Sequence, residues 1–468
     1  MIGGSFSSRQ RWTAWRDRSV NRQIFAAILT VGSLTALVKL AALAKELVVA
    51  RQFGTNDAMD AFLMAYLLPS FVVNVIAGPF NPALIPTYIQ VREREGLAAA
   101  QILLSRVFGY GLIMLLVVTG LIAIAMPLIL PFLASGFGTE KLALTLRLFY
   151  CLLPIVLLSG LSTIASAVLN AGERFAFASL APIATPILIL VALLTVANTW
   201  GIYAFAVGMV AGVTVEALLM GFALTRQGLS IIPQWSRFDD NTTQVFKQYV
   251  PQITATLLMG VTEIVNQSMA AMLGSGSISA LDYGRKLVGF IYGIGSLAMA
   301  TAVLPYLSRM VAVSDWSALQ RTLVVYARLI LLITIPLAAG LTYFSEPIVG
   351  ILFERGAFTP EDTNLVGKLQ ALLLLQIPFY VLGILFVRLL SALKGNHLLM
   401  WNSLAILPTT VLLNYWLTRS LDVSGIALSM GCVYILSCFY LLIASGQLLK
   451  KTKARTMVYD SLPRALQT

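Results

Sequence analysis

The chain has 468 residues, 58% of them hydrophobic and only 11% charged, and its mean hydropathy is +0.86. A water-facing surface needs about 25% charged residues, so a soluble enzyme is excluded. The +12 formal charge, which in a soluble chain would suggest nucleic acid, here reports how the chain is threaded through a bilayer. Apolar blocks of roughly 20 residues or more match the length that crosses about 30 Å of hydrocarbon, which predicts an all-α polytopic membrane protein and not a β-barrel of short alternating strands.

In chain order, a basic segment (1–23) precedes apolar spans at 24–50, 60–88, 103–133, 142–170, 179–199 and 202–225. A polar stretch at 226–244, carrying Arg226, Pro233, Trp235, Arg237, Asp239 and Asp240, reads as a linker. Six more spans follow at 245–273, 284–308, 322–344, 363–393, 399–418 and 424–449, before a basic tail at 450–468. With the N-terminus inside, nineteen Lys and Arg fall in inner segments, and only Arg51, Lys141, Arg355 and Arg419 fall in outer ones. The positive-inside rule then predicts cytoplasmic N- and C-termini in a bacterial inner membrane, with both basic ends against the anionic leaflet.

The first span is too long for a signal-peptide core and contains Lys39, Lys45 and Glu46, so it reads as a retained helix. Cys151, Cys432 and Cys438 lie in apolar spans without CxxC spacing, and His397 is the single histidine. Neither a disulfide nor a metal site is predicted, and no cofactor is implied. The chain has no GxxxxGK[ST] loop, so any transport draws on a coupling ion or the membrane potential.

A repeat organises the spans. Asp60 matches Asp282, Pro86 matches Pro305, Leu153-Pro154 matches Ile377-Pro378, Ser166-Ala167 matches Ser391-Ala392, Pro186 matches Pro408, and Gly201-Ile202 matches Gly425-Ile426. The near-constant register predicts two parallel six-helix lobes, 24–225 and 245–449, around a central cavity. Gly208 with Gly212, and Gly289 with Gly293, have the spacing that lets helices approach closely.

Charges inside spans are costly and normally face a cavity or a partner. Lys39, Lys45 and Glu46 lie on the first span, and Lys39 and Glu46, seven apart, share a helical face. Asp282, Arg285 and Lys286 open the eighth span, with Asp60 as the acidic counterpart in the first half. Glu216 and Glu263 lie in the sixth and seventh spans, Arg328 in the ninth and Arg388 in the tenth. A cationic cavity built from Lys39, Lys45, Lys286, Arg285 and Arg388, with Asp60, would suit a diphosphate head group, to which Lys and Arg give charge-assisted hydrogen bonds. Glu46, Asp282, Glu216 and Glu263 are then candidates for gating or coupling. The alternative is that the lysines and arginines snorkel to an interface, Glu46 neutralises a lysine, and Glu216 and Glu263 hydrogen-bond to neighbouring helices.

The stretch from Lys45 to Phe62, with Leu68-Pro69 and Ala83-Leu84-Ile85-Pro86, resembles the MurJ (MviN) family of lipid II flippases. So do Gly276-Ser277 through Tyr283 and Leu287, and Ile351 through Thr363. The resemblance implies the two-lobe fold of the multidrug/oligosaccharidyl-lipid/polysaccharide exporter superfamily and alternating access for an undecaprenyl-diphosphate-linked sugar. It carries the family's diphosphate-binding basic positions onto Lys39, Lys45 and Lys286, where the family usually has arginines, and its acidic position onto Asp60. Two departures stand out. Val73 and Asn74 occupy the place of a basic pair, with Ala77-Gly78 where an acidic residue is usual, and the sequence shows twelve spans where the family commonly has fourteen.

The leading function is therefore a flippase of a polyprenyl-diphosphate-linked saccharide, either lipid II or a polysaccharide repeat unit; the two departures predict weaker holding of lipid II and service to another glycan. Its partners would be that lipid-linked saccharide, membrane lipids and enzymes of envelope synthesis, with no nucleic acid. A cation-coupled multidrug exporter of the same superfamily would call for a net acidic cavity, and a non-transporting scaffold would call for one closed by side chains.

Overall fold

The computed structural model describes residues 20–172, 175–229 and 239–461. The basic leader up to residue 19, the middle of the linker (230–238) and the end of the tail (462–468) lie outside the described residues. Within them the long helices are α1 (Val20–Phe53), α2 (Asp57–Glu95), α3 (Leu97–Leu133), α4 (Thr139–Ala171), α5 (Ala176–Trp200) and α6 (Ile202–Thr225). They continue as α7 (Asp240–Ala271), α8 (Ser277–Ala312), α9 (Trp316–Tyr343), α10 (Pro360–Ala392), α11 (Asn396–Leu421) and α12 (Val423–Ser461). Each predicted span coincides with one of these, and a short unpredicted helix, Ser345–Phe353, follows α9.

Among the described residues nine helices are long and apolar enough to cross a membrane. The chain is thus a multi-pass α-helical membrane protein. Lys39, Lys45 and Glu46 lie on α1, Glu263 on α7, and Asp282, Arg285 and Lys286 on α8.

Local chemistry explains most of the boundaries and breaks. α4 is interrupted at Leu153 before Pro154, and α10 just before Ile377-Pro378, because proline lacks the N–H that the helix ladder needs. These are matched landmarks of the repeat. α10 starts with a capping box, Thr359 accepting from the Asp362 N–H and Asp362 from the Thr359 N–H. At the α5–α6 turn Gly201 has φ 53° and ψ −131°, and the residue with that conformation between α11 and α12 is Asp422, with φ 54° and ψ −138°. The sequence pairing of Gly201 with Gly425 is therefore slipped by three residues, because a glycine elsewhere in the second half attracted the alignment. Asp60 and Asp282, expected just before their spans, lie inside α2 and α8, since both helices begin earlier than their apolar stretches.

Contacts divide the chain into two units. The first comprises residues up to Val49, Ala65–Pro127 and Thr145–Thr254. Its core joins Phe80, Leu84 and Tyr88 of α2 to Leu104 and Phe108 of α3, Ile164 and Val168 of α4, Leu224 of α6, and Val245 and Tyr249 of α7. α5 lies along α6, where a Cβ on Gly212 would stand 2.4 Å from the Thr185 Cα, so this glycine pair does serve close approach. Among the described residues a Cβ on Gly289 or Gly293 would meet nothing within 4 Å.

The second unit comprises Ala50–Met64, Leu128–Leu144 and Ala255 onward. α8 and α12 both pack on α10, and α11 on α12. The buried Tyr283 ring sits between Phe353 and Phe358, at centroid distances of 5.4 and 5.5 Å.

Candidate functional site

The three stretches that carry the family resemblance meet in the second unit, in a knot around Asp60. This carboxylate is 1% exposed. It accepts from the Gly276 N–H at 2.8 Å, from the Ser279 N–H at 2.9 Å and hydroxyl at 2.8 Å, and from the Lys141 ammonium at 2.9 Å. The two backbone donors belong to the first turn of α8, so Asp60 caps a helix 216 residues further along the chain and meets the positive end of its dipole. Lys141 also binds Asp57 at 2.6 Å, and Ser275 donates to Asp57 at 2.7 Å.

Glycine makes the approach possible. Gly276, at φ +79°, would place a Cβ 2.7 Å from the Thr55 carbonyl oxygen, and Gly356, at φ +63°, would place one 2.4 Å from the Arg51 carbonyl oxygen. In that gap the Ala357 N–H donates to the Arg51 carbonyl at 2.8 Å, and the Thr55 hydroxyl donates to Asp362. Asp60, a substrate-binding candidate, thus has its oxygens occupied by the knot. Lys141, which sequence reading treated only as a topology marker, is its part-buried counter-ion; no local pattern links positions 60 and 141.

The remaining charged candidates arrive mostly in acid–base pairs. On α1, in the first unit, Lys45 is ion-paired with its neighbour Glu46, and its ammonium lies 5.7 Å from the Phe205 ring centroid. Glu46 thus neutralises a lysine, as the alternative reading had it, and that lysine is its neighbour. A lysine side chain reaches sideways from an adjacent position, and Lys39 is left exposed. On α8, in the second unit, Lys286 pairs with Asp282 one turn earlier at 2.8 Å. Arg285 forms a bidentate fork onto Glu263 of α7, with Nη2 to Oε2 at 2.7 Å, and Gln267 donates to the same carboxylate at 3.3 Å.

Glu216 of α6 accepts from the Thr185 hydroxyl of α5 at 3.3 Å, with Tyr66 of α2 within electrostatic reach. Arg388 of α10 is half-buried, and among the described residues its buried Nε has no hydrogen-bond partner. The structure therefore brings Arg285, Glu263, Asp282 and Lys286 together, and separately Lys45 with Glu46. Beside the first group stand tyrosines that sequence reading did not single out. Tyr292 and Tyr380 stack at 3.7 Å, and Tyr434 meets them edge-on. An apolar hollow of about 210 Å³ between α3, α4 and α6, lined by Phe108, Leu161, Ser162 and Thr214, has no charged wall and does not suit a diphosphate.

Val73 and Asn74, where a basic pair was expected, lie in a π-helical turn, Val73–Ala77. Its widened ladder leaves the Ile76 carbonyl free to accept from the Tyr249 hydroxyl of α7 at 2.7 Å. Nearby in the same unit Arg106 pairs with Asp239, and Asn241 donates to Glu95 at 3.0 Å. Burial works against the Asp239 carboxylate, but the Thr242 N–H, together with Arg106, holds it below the usual carboxylate range.

Long helices with charged side chains paired inside them define a polytopic membrane protein. Solved structures agree on the fold. The protein resembles "Lipid II flippase MurJ, inward closed conformation" with a TM-score of 0.76 and 21% identity, over 92% of this chain and 91% of that one. It also resembles an inward-facing multidrug resistance MATE family transporter of the MOP superfamily, with a TM-score of 0.74 and 14% identity, over 91% and 99%.

Sequence comparison narrows the class. Residues 49–465 match the family described as "Lipid II flippase MurJ", so the chain belongs to the MurJ family, whose members are transporters and not enzymes. A "Probable lipid II flippase MurJ" of Rhizobium meliloti (strain 1021) is 30% identical over 85% of this chain and 76% of its own length. The "Lipid II flippase MurJ" of Burkholderia cenocepacia is 26% identical over 87% and 81%.

Proposed function

We propose that this protein turns lipid II over from the inner to the outer leaflet of the bacterial inner membrane, as a step in peptidoglycan synthesis. The observation that carries this is the family match across residues 49–465. It favours lipid II over a polysaccharide repeat unit, and a flippase over a drug exporter or a scaffold. In this reading Lys39, Lys45, Lys286, Arg285 and Arg388 supply the donors for the diphosphate, which is common to every such carrier lipid. The lysines keep charge but lack the bidentate fork of arginine, so the diphosphate is held by point charges there.

The excess of Lys and Arg in one set of loops supports cytoplasmic termini, which puts the Asp60 knot at the outer face. Two measurements test the reading. Depleting a host of its own lipid II flippase and expressing this chain should prevent lysis; continued lysis with the protein inserted in the membrane rejects lipid II as the substrate. Introduced cysteines near position 357 should label from outside and near position 455 only from inside, and the reverse pattern rejects the orientation.

A further inference from the structure

Four of the acids singled out in the sequence sit on basic partners; Asp60 is held in the knot, and the other three pairs are not equivalent. Glu46 and Lys45 are neighbours on α1, and Asp282 and Lys286 are one turn apart on α8, so each of these pairs travels as a unit. Glu263 and Arg285 sit on different helices, α7 and α8, joined only through side chains. α7 is also the helix whose residues up to Thr254 belong to the first unit and whose remainder belongs to the second. Of the three, this pair alone joins two helices, so a relative shift of α7 and α8 can part it.

The surroundings of Glu263 suit both of its protonation states. As a carboxylate it takes the Arg285 fork and the Gln267 amide. Gln267 stands one helical turn away, and among the described residues its buried Oε1 has no hydrogen-bond partner. It is an acceptor of the kind that a protonated Glu263 would need, since a carboxylic acid gains one O–H donor. The other titratable groups facing this place are Asp282 and Lys286 on α8, Tyr434 on α12 within electrostatic reach of Arg285, and the stacked Tyr292 and Tyr380.

We propose that Glu263 couples substrate binding to proton uptake: a lipid-linked diphosphate takes over the Arg285 N–H donors, and the displaced Glu263 carboxylate accepts one proton from water. This rests on the reading of Arg285 as a diphosphate ligand. No bond to phosphorus forms or breaks. The guanidinium stays charged, its hydrogen bonds pass from carboxylate to phosphate oxygens, and the proton on Glu263 balances one unit of the charge the anion brings in. A carboxylate stripped of its cation within a membrane is the costly alternative, which is why protonation follows displacement. Each flipped anion then carries one proton with it.

The test uses the full chain in detergent micelles with geranylgeranyl diphosphate as the probe, titrated calorimetrically in two buffers of different ionisation enthalpy. The wild-type protein should take up about one proton more per ligand than Glu263→Gln, and its affinity should fall up to about tenfold more per pH unit between pH 7.5 and 8.5. Glu263→Gln should bind more tightly at pH 8.5. Equal proton uptake and equal pH dependence in the two proteins, with binding intact, overturns the coupling role of Glu263. Should Glu263→Gln fail to fold, the wild-type titration decides alone, and binding without proton uptake overturns the proposal. Absence of geranylgeranyl diphosphate binding by the wild type overturns the diphosphate reading itself and this inference with it. Inorganic diphosphate, run in parallel, separates recognition of the head group from recognition of the prenyl chain.

Discussion

Asp60 and Glu263 are both membrane-chain carboxylates facing a single cation, yet they are built for opposite ends. Asp60 is 1% exposed and has four donors, two of them backbone N–H groups of the α8 amino terminus that have no other partner. Glu263 has the Arg285 fork and one amide, and its side chain is 33% exposed. Removing a ligand-like partner from Asp60 would orphan a helix end. Removing Arg285 from Glu263 leaves one carboxylate that a proton can neutralise. The number of permanent donors, more than the charge itself, separates a structural lock from an exchangeable pair.

The largest expected effect comes from breaking the lock. Asp60→Ala leaves Lys141 with Asp57 alone and strips the cap from α8, which should cost about 3–5 kcal/mol, the usual penalty for halving a buried pair. Thermal unfolding in detergent should show a clearly lower Tm, and complementation should be lost. Asp60→Asn can still accept from the α8 amides and should fall between. A Tm for Asp60→Ala within about a degree of wild type would mean that the knot does not stabilise this state.

The exchangeable side of the comparison predicts a different signature. Lys45→Ala and Lys286→Ala should insert and fold but lose flipping. Each charge-assisted bond lost removes about 1.5–3 kcal/mol, or about 10- to 100-fold in affinity for a diphosphate. Lys45→Arg and Lys286→Arg should retain most activity because charge is kept. Wild-type flipping by the Lys39→Ala, Lys45→Ala double variant would show that these lysines only neutralise acids or reach an interface.

The smallest effect concerns Asp239, whose carboxylate is held below the usual range in the folded protein. A depressed folded pKa contributes stability above the unfolded value of about 3.9 and loses it as pH falls through the folded value. Asp239 is partly exposed, so Asp239→Asn should cost about 1 kcal/mol or less. The Tm difference from wild type should be constant between pH 5 and 8 and shrink below about pH 4. A difference that changes between pH 6 and 8 would assign the effect to another group.

Which parts of this could be read from the residues follows from the range of the forces involved. Helix positions, the breaks at Leu153-Pro154 and Ile377-Pro378, and the α10 start at Thr359-Pro360 are decided by hydropathy, a missing N–H and a capping box, all within a few neighbouring residues. The charged candidates were visible because charge is rare in such a chain. Their partners were not. The seven-residue spacing put Lys39 and Glu46 on one face without naming a partner, and the structure pairs Glu46 with Lys45, because a flexible ammonium is not confined to a helical face. The knot was legible only as a likeness to a family, through stretches whose individual roles had no local signature.

The sequence by itself determined that this is a multi-pass helical membrane protein, where its helices run and break, and which family it resembles, since burial of apolar length in lipid leaves few alternatives. Tertiary structure alone decided that Asp60 caps α8 and binds Lys141, that Tyr249 anchors α7 to the π-turn of α2, and that Glu263 holds Arg285. These are directional contacts between groups 22 to 219 residues apart, and their geometry exists only once the helices have packed.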